Sequence, residues 1–484
     1  MMTSVTRVAI LGGGPGGYEA ALVAAQHDAE VTVVDRDGIG GAAVLTDCVP
    51  SKTLVATAAL MIAVEEAAEL GVRAASEVRA DLEVVNRRVT RLAQAQSGDV
   101  ARRLAAEGVR VLAGSGRLDG PEALLVEEAP AGEPPTGSTQ RVEADAVLVA
   151  TGARPRVVGE AEPDGERILT WQQVYGLTEL PERLVVVGSG VTGLEFAGAY
   201  LALGCDVVLV SSRELVLPGE DADAARVIED ACRRRGMTVL SRSRMASVKR
   251  RSAEGADGES DGVRVTLTDG RVVDGSHCLL ALGSVANTDG LGLDESGVRL
   301  DQRGHVLVDR VSRTSARGVY AAGDCTGVQM LASVAAMQGR IAMWHALGEA
   351  VTPLDLAQVS SNVFTAPEIA TVGWTQQAAD TGAAGIAAGI AAGDVDSVRL
   401  DLAGNARAKM QSVREGFVKL FCRRGTGIVV GGVVVAPQAS ELVHPVAVAV
   451  ACTLTVDQVA QAFTVYPSMT GSVAEAARRL HQRT

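Results

Sequence analysis

The sequence predicts an α/β protein built around two repeated β-α-β units, followed by a C-terminal α+β region. Three observations carry this. Short apolar runs bounded by glycine, Val8–Leu11 and Leu184–Val187, read as buried parallel strands. Each is followed by an Ala-rich helical stretch, 18–27 and 193–203, and then by a second apolar run, Val31–Val34 and Val207–Val210. From about Thr352 the pattern changes. β-branched strands (Phe417–Cys422, Ile428–Val435) alternate with helices (441–453, 456–462, 473–480).

The remaining elements follow in order. Residues 57–70 and 85–107 read as helices, the second with a polar face of Arg and Gln. The Pro-, Gly- and Ser-rich stretch 127–140 reads as a surface hairpin or loop, and 250–262 as an exposed hairpin turn. Ala146–Ala150 is a strand ending in Thr151-Gly152. Residues 318–346 run strand, Gly-Asp turn, helix. The Ala/Gly stretch 378–393 is expected to be a loop or loose helix.

Composition narrows the function. Lys and Arg number 45 against 58 Asp and Glu, a net charge of −13, which disfavours nucleic acid and anionic membranes as partners. Aromatics are 3%, too few for base-stacking surfaces. No uninterrupted apolar run approaches the ~18 residues of a membrane span. No signal-like segment opens the chain, so no transmembrane segment and a cytoplasmic location are expected. Seven scattered cysteines without a Cys-x-x-Cys pair exclude a disulfide framework and a zinc ribbon. His277, His305 and His345 lack ligand spacing, so no metal is expected.

The chemistry lies in the glycines. Gly12-x-Gly14-x-x-Gly17 follows a strand and opens a helix. The first glycine permits the tight turn, the second lets backbone approach a pyrophosphate, and the third lets helix and strand pack closely. The helix N-terminus offers free N–H groups and a positive dipole end. Asp35 closes the next strand, where a carboxylate accepts ribose hydroxyls. Gly188-x-Gly190-x-x-Gly193 repeats the pattern, but its second strand ends Ser211-Ser212-Arg213 instead of in an acid. Hydroxyls and a guanidinium tolerate a 2′-phosphate that a carboxylate would repel, so NADPH and NADH are both admissible donors. The fold class is therefore two Rossmann-like dinucleotide-binding domains, for a flavin and a nicotinamide, plus the α+β tail. Thr151-Gly152 and Gly323-Asp324 stand at further strand ends bordering such crevices.

The stretch Gly40-Gly41-Ala42-Ala43-Val44-Leu45-Thr46-Asp47-Cys48-Val49-Pro50-Ser51-Lys52 resembles the pyridine-nucleotide disulfide oxidoreductases, the group of lipoamide dehydrogenase and glutathione reductase. The resemblance covers essentially the whole chain. It implies an FAD domain over 1–153, an NAD(P)H domain over 154–283, a return to the FAD domain over 284–351, and a dimerisation domain over 352–484. It implies that Gly12, Gly14, Gly17, Asp35, Thr151, Gly152, Gly323 and Asp324 serve FAD. Gly188, Gly190 and Gly193, with Ser211 and Arg213, would serve NAD(P)H, and Lys52, paired with Glu195, would lie beside the flavin. A homodimer is also implied.

Two departures redirect the chemistry. The family's redox pair is two cysteines separated by four residues, and here the first position is Ala43. Without a disulfide the dithiol relay cannot operate. In the family's C-terminal signature, His-Pro is followed four residues later by Glu. Here Tyr466-Pro467 and Gly471 take those places, and a phenol with a pKa of ~10 is a poor base. The two losses agree, because without a disulfide the base has no task. The expectation is a two-electron hydride transfer from NAD(P)H through FAD to a quinone, as in the lipoamide-dehydrogenase-like NAD(P)H–quinone reductases. Cys48 is expected to touch the flavin without redox turnover, and Tyr466 to shape the acceptor pocket or to pack. A soluble transhydrogenase, a disulfide reductase and a catalytically idle flavoprotein serving as a sensor or scaffold are the alternatives. The remaining cysteines read as packed thiols, Glu441 with His444 as a surface pair, and the charges of 213–235 as a solvated helix face.

Overall fold

The computed structural model describes residues 5–73, 75–129, 137–251, 261–381 and 393–481. The chain divides into two compact units. One holds residues 1–53, 86–156 and 282–355; the other holds 54–85, 157–281 and 356–484.

The first unit is built on a seven-stranded sheet in the order Val319–Ala321, Ala146–Val149, Arg7–Leu11, Glu30–Asp35, Arg110–Leu118, Ala123–Glu128, Thr139–Glu143. The first five strands are parallel and the last two antiparallel. Arg7–Leu11 lies at the centre because Val8, Ala9, Ile10 and Leu11 are apolar on both faces and all four are buried. The helix Pro15–Gln26 starts three residues before the sequence expectation, since Pro15 sits at a helical first position where its missing N–H costs nothing. The stretch 127–140 is a hairpin as expected: Ala123–Glu128 pairs antiparallel with Thr139–Glu143, and 130–136 lie outside the described residues.

In the second unit a parallel five-stranded sheet runs Thr238–Leu240, Asp206–Val210, Arg183–Val187, His277–Leu280, Ile168–Thr170. Met245–Arg251, Gly262–Leu267 and Val272–Gly275 form a small antiparallel sheet, so 250–262 is a hairpin whose tip, 252–260, lies outside the described residues. The C-terminal region is an antiparallel sheet ordered Ser360–Val363, Glu368–Gly373, Val429–Ala436, Phe417–Arg423, Val395–Asp401. Val418, Leu420, Val434, Val446, Val473 and Leu480 belong to its core.

Several expectations change. The helix expected at 57–70 begins at Cys48 and runs to Glu66, followed by a 3-10 turn, Ala67–Leu70. Pro50 lies in its first turn, where proline is tolerated and does not mark a stop. The helix expected over 441–453 is broken at Val443 into Ala439–Leu442 and His444–Ala451, with Pro445 opening the second piece. Glu441 and His444 thus sit on different pieces. The stretch 378–393 contributes the end of a helix, Gln376–Thr381, and its residues 382–392 lie outside the described residues. Gly41–Leu70 contains no uninterrupted apolar run of membrane length, although by length and composition alone it is long and apolar enough to cross a membrane. Leu54 and Ala58 on that stretch belong to the buried core.

Candidate functional site

In the first unit the turn after Arg7–Leu11 is forced by its glycines. Gly12 has φ +107, and a Cβ there would lie 2.2 Å from the Ala150 carbonyl oxygen. A Cβ on Gly17 would lie 1.8 Å from the Gly12 oxygen. No side chain caps the helix Pro15–Gln26, so its first N–H groups remain directed at the turn. Asp35 is held at the end of its strand by three backbone donors: Gly13 at 2.6 Å, Asp37 at 2.8 Å and Gly38 at 2.6 Å. Burial outweighs those donors and raises its pKa.

A cavity of about 440 Å³ opens at this strand end, lined among others by Gly12, Asp35, Gly116, Thr151 and Asn287. Thr151 donates its hydroxyl to the Asn287 carbonyl at 2.6 Å, and the Asn287 amide donates back to the Thr151 carbonyl at 3.0 Å. Asn287, with Arg154 and Asp289, carried no signal in the sequence because no local pattern links them to the glycine turn. The turn Gly323-Asp324 is positioned by the buried Gln338, whose Oε1 accepts the Gly323 N–H at 2.9 Å. Gln338 was also missed by sequence reasoning. Asp324 has its carboxyl pushed up to about 6, by burial first and the negative charge of Asp47 second.

These residues suit an adenine dinucleotide. Gly12 and Gly17 admit no side chain, the helix end offers N–H donors, and an acid stands at the end of the next strand, where such folds bind ribose. Cys48 and Lys52 are both half-buried and lie four residues apart on the helix Cys48–Glu66, so they share one face. Ala43 lies in the short helix Gly41–Leu45 and offers Cys48 no sulfur partner.

In the second unit the same geometry recurs. Gly188 has φ +116 and a Cβ there would meet the Ala281 oxygen at 2.2 Å; one on Gly193 would meet the Gly188 oxygen at 1.9 Å. A Cβ on Gly190, by contrast, meets nothing within 4 Å, so that side of the turn is open to a ligand. The strand end differs from the expectation. Ser211 is fully buried, and its hydroxyl is bonded to the Ser189 hydroxyl at 2.7 Å and accepts the Arg213 N–H at 3.2 Å. It is therefore turned inward, and Ser212 and Arg213 are the exposed residues. Glu195 is buried on the helix Val191–Ala202, and its Oε1 accepts the Phe364 N–H at 2.8 Å. Tyr466 is 86% exposed, beside the exposed Phe463 and Val465.

The other residues singled out have local roles. Burial pushes the Cys325, Cys232 and Cys422 thiols up to about 11 and Cys205 to about 12, which makes them inert. His305 pairs with Asp301 at 3.1 Å and His345 with the Tyr320 hydroxyl at 2.9 Å. Among the described residues no three His, Cys, Asp or Glu side chains gather as a metal site. The charges of 213–235 are not simply a solvated face. Glu229 is buried and bonded to Arg233 at 2.8 Å, while Arg235 reaches Glu66 at 3.1 Å.

Comparison with known proteins agrees with this geometry. Residues 6–339 match the family model described as pyridine nucleotide-disulphide oxidoreductase, and 359–477 match that family's dimerisation domain, which supports a homodimer. A Mycobacterium tuberculosis protein named NAD(P)H dehydrogenase (quinone) is 54% identical over 98% of this chain and 94% of its own length. A dihydrolipoyl dehydrogenase of Chlorobaculum parvum is 32% identical over 97% of this chain and 96% of its own. The crystal structure of LpdA from M. tuberculosis superposes with a TM-score of 0.90 at 52% identity, covering 98% of this chain and 100% of that one. Two glycine turns whose first and last glycines leave no room for a side chain, an acid at the end of the first unit's second strand, and family matches over most of the length place the chain in the pyridine nucleotide-disulphide oxidoreductases, whose members use FAD and NAD(P)H.

Proposed function

We propose that this protein is an FAD-dependent NAD(P)H:quinone oxidoreductase that works without a redox-active disulfide. The observation that carries this is Ala43 at the position of the family's first redox cysteine, so that the family's disulfide with Cys48 cannot form, while both glycine turns keep the form a dinucleotide requires. The name of the 54% identical relative supports the same reading.

FAD, when bound, would supply two-electron redox chemistry between a nicotinamide donor and the acceptor. The chain's residues hold and orient. Gly12, Gly14 and Gly17 leave room for the pyrophosphate, and Asp35 receives the adenosine ribose. Thr151, Gly152, Gly323 and Asp324 border the flavin. Gly188, Gly190 and Gly193 seat the nicotinamide donor. Lys52 is assigned to favour negative charge on the reduced cofactor. Cys48, one turn from Lys52, is assigned to contact the ring. Tyr466, exposed within the dimerisation region, is assigned to the acceptor pocket of the dimer. No disulfide links the seven cysteines, which suits a reducing compartment such as the cytoplasm.

Steady-state assays with NADPH and NADH against menadione, lipoamide, glutathione disulfide and a thio-nicotinamide analogue test this. Turnover of quinones with negligible disulfide reduction is expected. Appreciable disulfide turnover, or rapid transfer to the analogue with none to quinones, would overturn it.

A further inference from the structure

We propose that Leu217 is a positioning residue for the nicotinamide donor: its N–H fixes a peptide plane in the second glycine turn, and the C-terminal sheet holds the loop that carries it. This rests on the reading of Gly188–Gly193 as the nicotinamide cradle, and it adds residues that lie outside any glycine pattern.

A trans peptide points its carbonyl and its N–H in opposite directions. The Ser189 carbonyl accepts the Leu217 N–H at 2.8 Å. The Gly190 N–H, which shares that peptide, is therefore directed away from Leu217. Gly190 borders open space, since a Cβ there meets nothing within 4 Å. A backbone donor so placed suits a pyrophosphate oxygen. The first unit contains the same device. The Gly13 carbonyl, at the matching place in Gly12-Gly13-Gly14, accepts the Gly40 N–H at 2.8 Å. In both units the donor comes from the loop after the second strand, Glu30–Asp35 or Asp206–Val210. In both units that donor has a positive φ, 106 at Gly40 and 49 at Leu217.

Glycine adopts that backbone freely, whereas leucine does not. A strained residue of this kind persists only where its surroundings impose the conformation, and such residues gather at ligand clamps. The surroundings of Leu217 reach to the C-terminal sheet. Leu217 is itself buried, and its carbonyl accepts the Glu220 N–H at 3.0 Å. The Glu220 Oε2 accepts the hydroxyl of Thr371, on the strand Glu368–Gly373, at 3.2 Å. The next residue, Asp221, accepts the Lys419 ammonium, on the strand Phe417–Arg423, at 2.8 Å. The loop is thus fastened to the glycine turn at Leu217 and to the C-terminal sheet at Glu220 and Asp221. Thr371 and Lys419 hold the strained residue in place, and that residue sets the donor N–H of the turn.

The test is calorimetric titration of the flavin-loaded protein with NADP+ and with NAD+. Valine keeps more of the leucine's apolar bulk than glycine does, but its β-branch resists the left-handed backbone that glycine adopts. Leu217→Val should therefore weaken both dinucleotides about tenfold, and Leu217→Gly at most about threefold. A packing role predicts the opposite order, because glycine removes the whole side chain. The two dinucleotides should weaken alike, since the turn serves the pyrophosphate they share. Thr371→Val, which loses the hydroxyl at nearly constant shape, should weaken both about threefold, and Thr371→Ser, which keeps it, should recover most of that loss. Leu217→Gly binding as weakly as Leu217→Val or more weakly, a loss confined to one dinucleotide, or equal affinities for the two Thr371 variants would overturn the proposal alone. Failure of the unmodified protein to bind either dinucleotide would overturn the cradle reading and this inference with it.

Discussion

The Lys419 ammonium lies 2.8 Å from Asp221 Oδ2 and 3.0 Å from its Oδ1, with the two side chains only 5% and 0% exposed. Asp223 Oδ2 adds a third contact at 2.8 Å. Asp221 also caps the helix Ala222–Arg234, accepting the Asp223 and Ala224 N–H groups. One buried cation therefore ties the helix of the nicotinamide fold to the strand Phe417–Arg423 of the C-terminal sheet. Truncating one member of a buried pair strands the other charge, whereas removing both charges is far milder.

Lys419→Met should therefore destabilise the protein by about 3–5 kcal/mol. Lys419→Met combined with Asp221→Asn, which keeps the helix cap, should recover more than half of that. Denaturant midpoints of the three proteins check this, and equal loss in the single and double variants would show that the pair is not coupled.

The open side of the second glycine turn makes a separable prediction. Gly190 has an extended backbone, and a Cβ there touches nothing in the protein. Gly190→Ala should melt within a degree or two of the parent and keep its flavin spectrum. The KM for NAD(P)H should nonetheless rise at least about tenfold, because the methyl enters the space of the pyrophosphate. A melting point lowered by more than the KM change accounts for would point to a packing role.

Cys48→Ser tests the mechanism. If no dithiol takes part, quinone turnover should fall less than about tenfold, where a disulfide-dependent enzyme would lose essentially all activity. Stopped-flow reduction by NADPH, followed by quinone reoxidation, resolves which half-reaction changes.

His277 supplies a pH dependence. It is packed against Arg167 at 3.2 Å, and its pKa is pushed down to about 4, by burial first and by that guanidinium second. As pH falls below ~6.5 the unfolded chain binds this proton before the folded protein does. The stability present above pH ~6.5 is therefore lost progressively toward pH 4, by about 1–2 kcal/mol after discounting for solvent screening. His277→Gln should flatten that part of the stability curve, measured as denaturant midpoint against pH.

Local sequence determined much of this protein. Both glycine turns are legible because part of their demand is local: Gly12 and Gly188 have positive φ, and Gly17 and Gly193 pack onto the Gly12 and Gly188 carbonyls a few residues away. Asp35 follows from strand length, and the missing thiol relay follows from the identity of Ala43, Tyr466 and Gly471. The helices that begin at Pro15 and Cys48 start earlier than the sequence expectation, each with a proline tolerated in its first turn. Tertiary structure alone decided which polar residues were turned inward. Ser211, an expected ligand residue, is buried against Ser189, and Gln338 and Asn287 pin the flavin-side turns from distant segments. Lys419 stands in an otherwise apolar stretch of its strand, and it is buried against two carboxylates supplied by a remote helix. The physical reason is range: a turn is constrained by its own backbone, whereas the partner that satisfies a buried polar group is chosen by whichever remote segment the fold brings within about 3 Å.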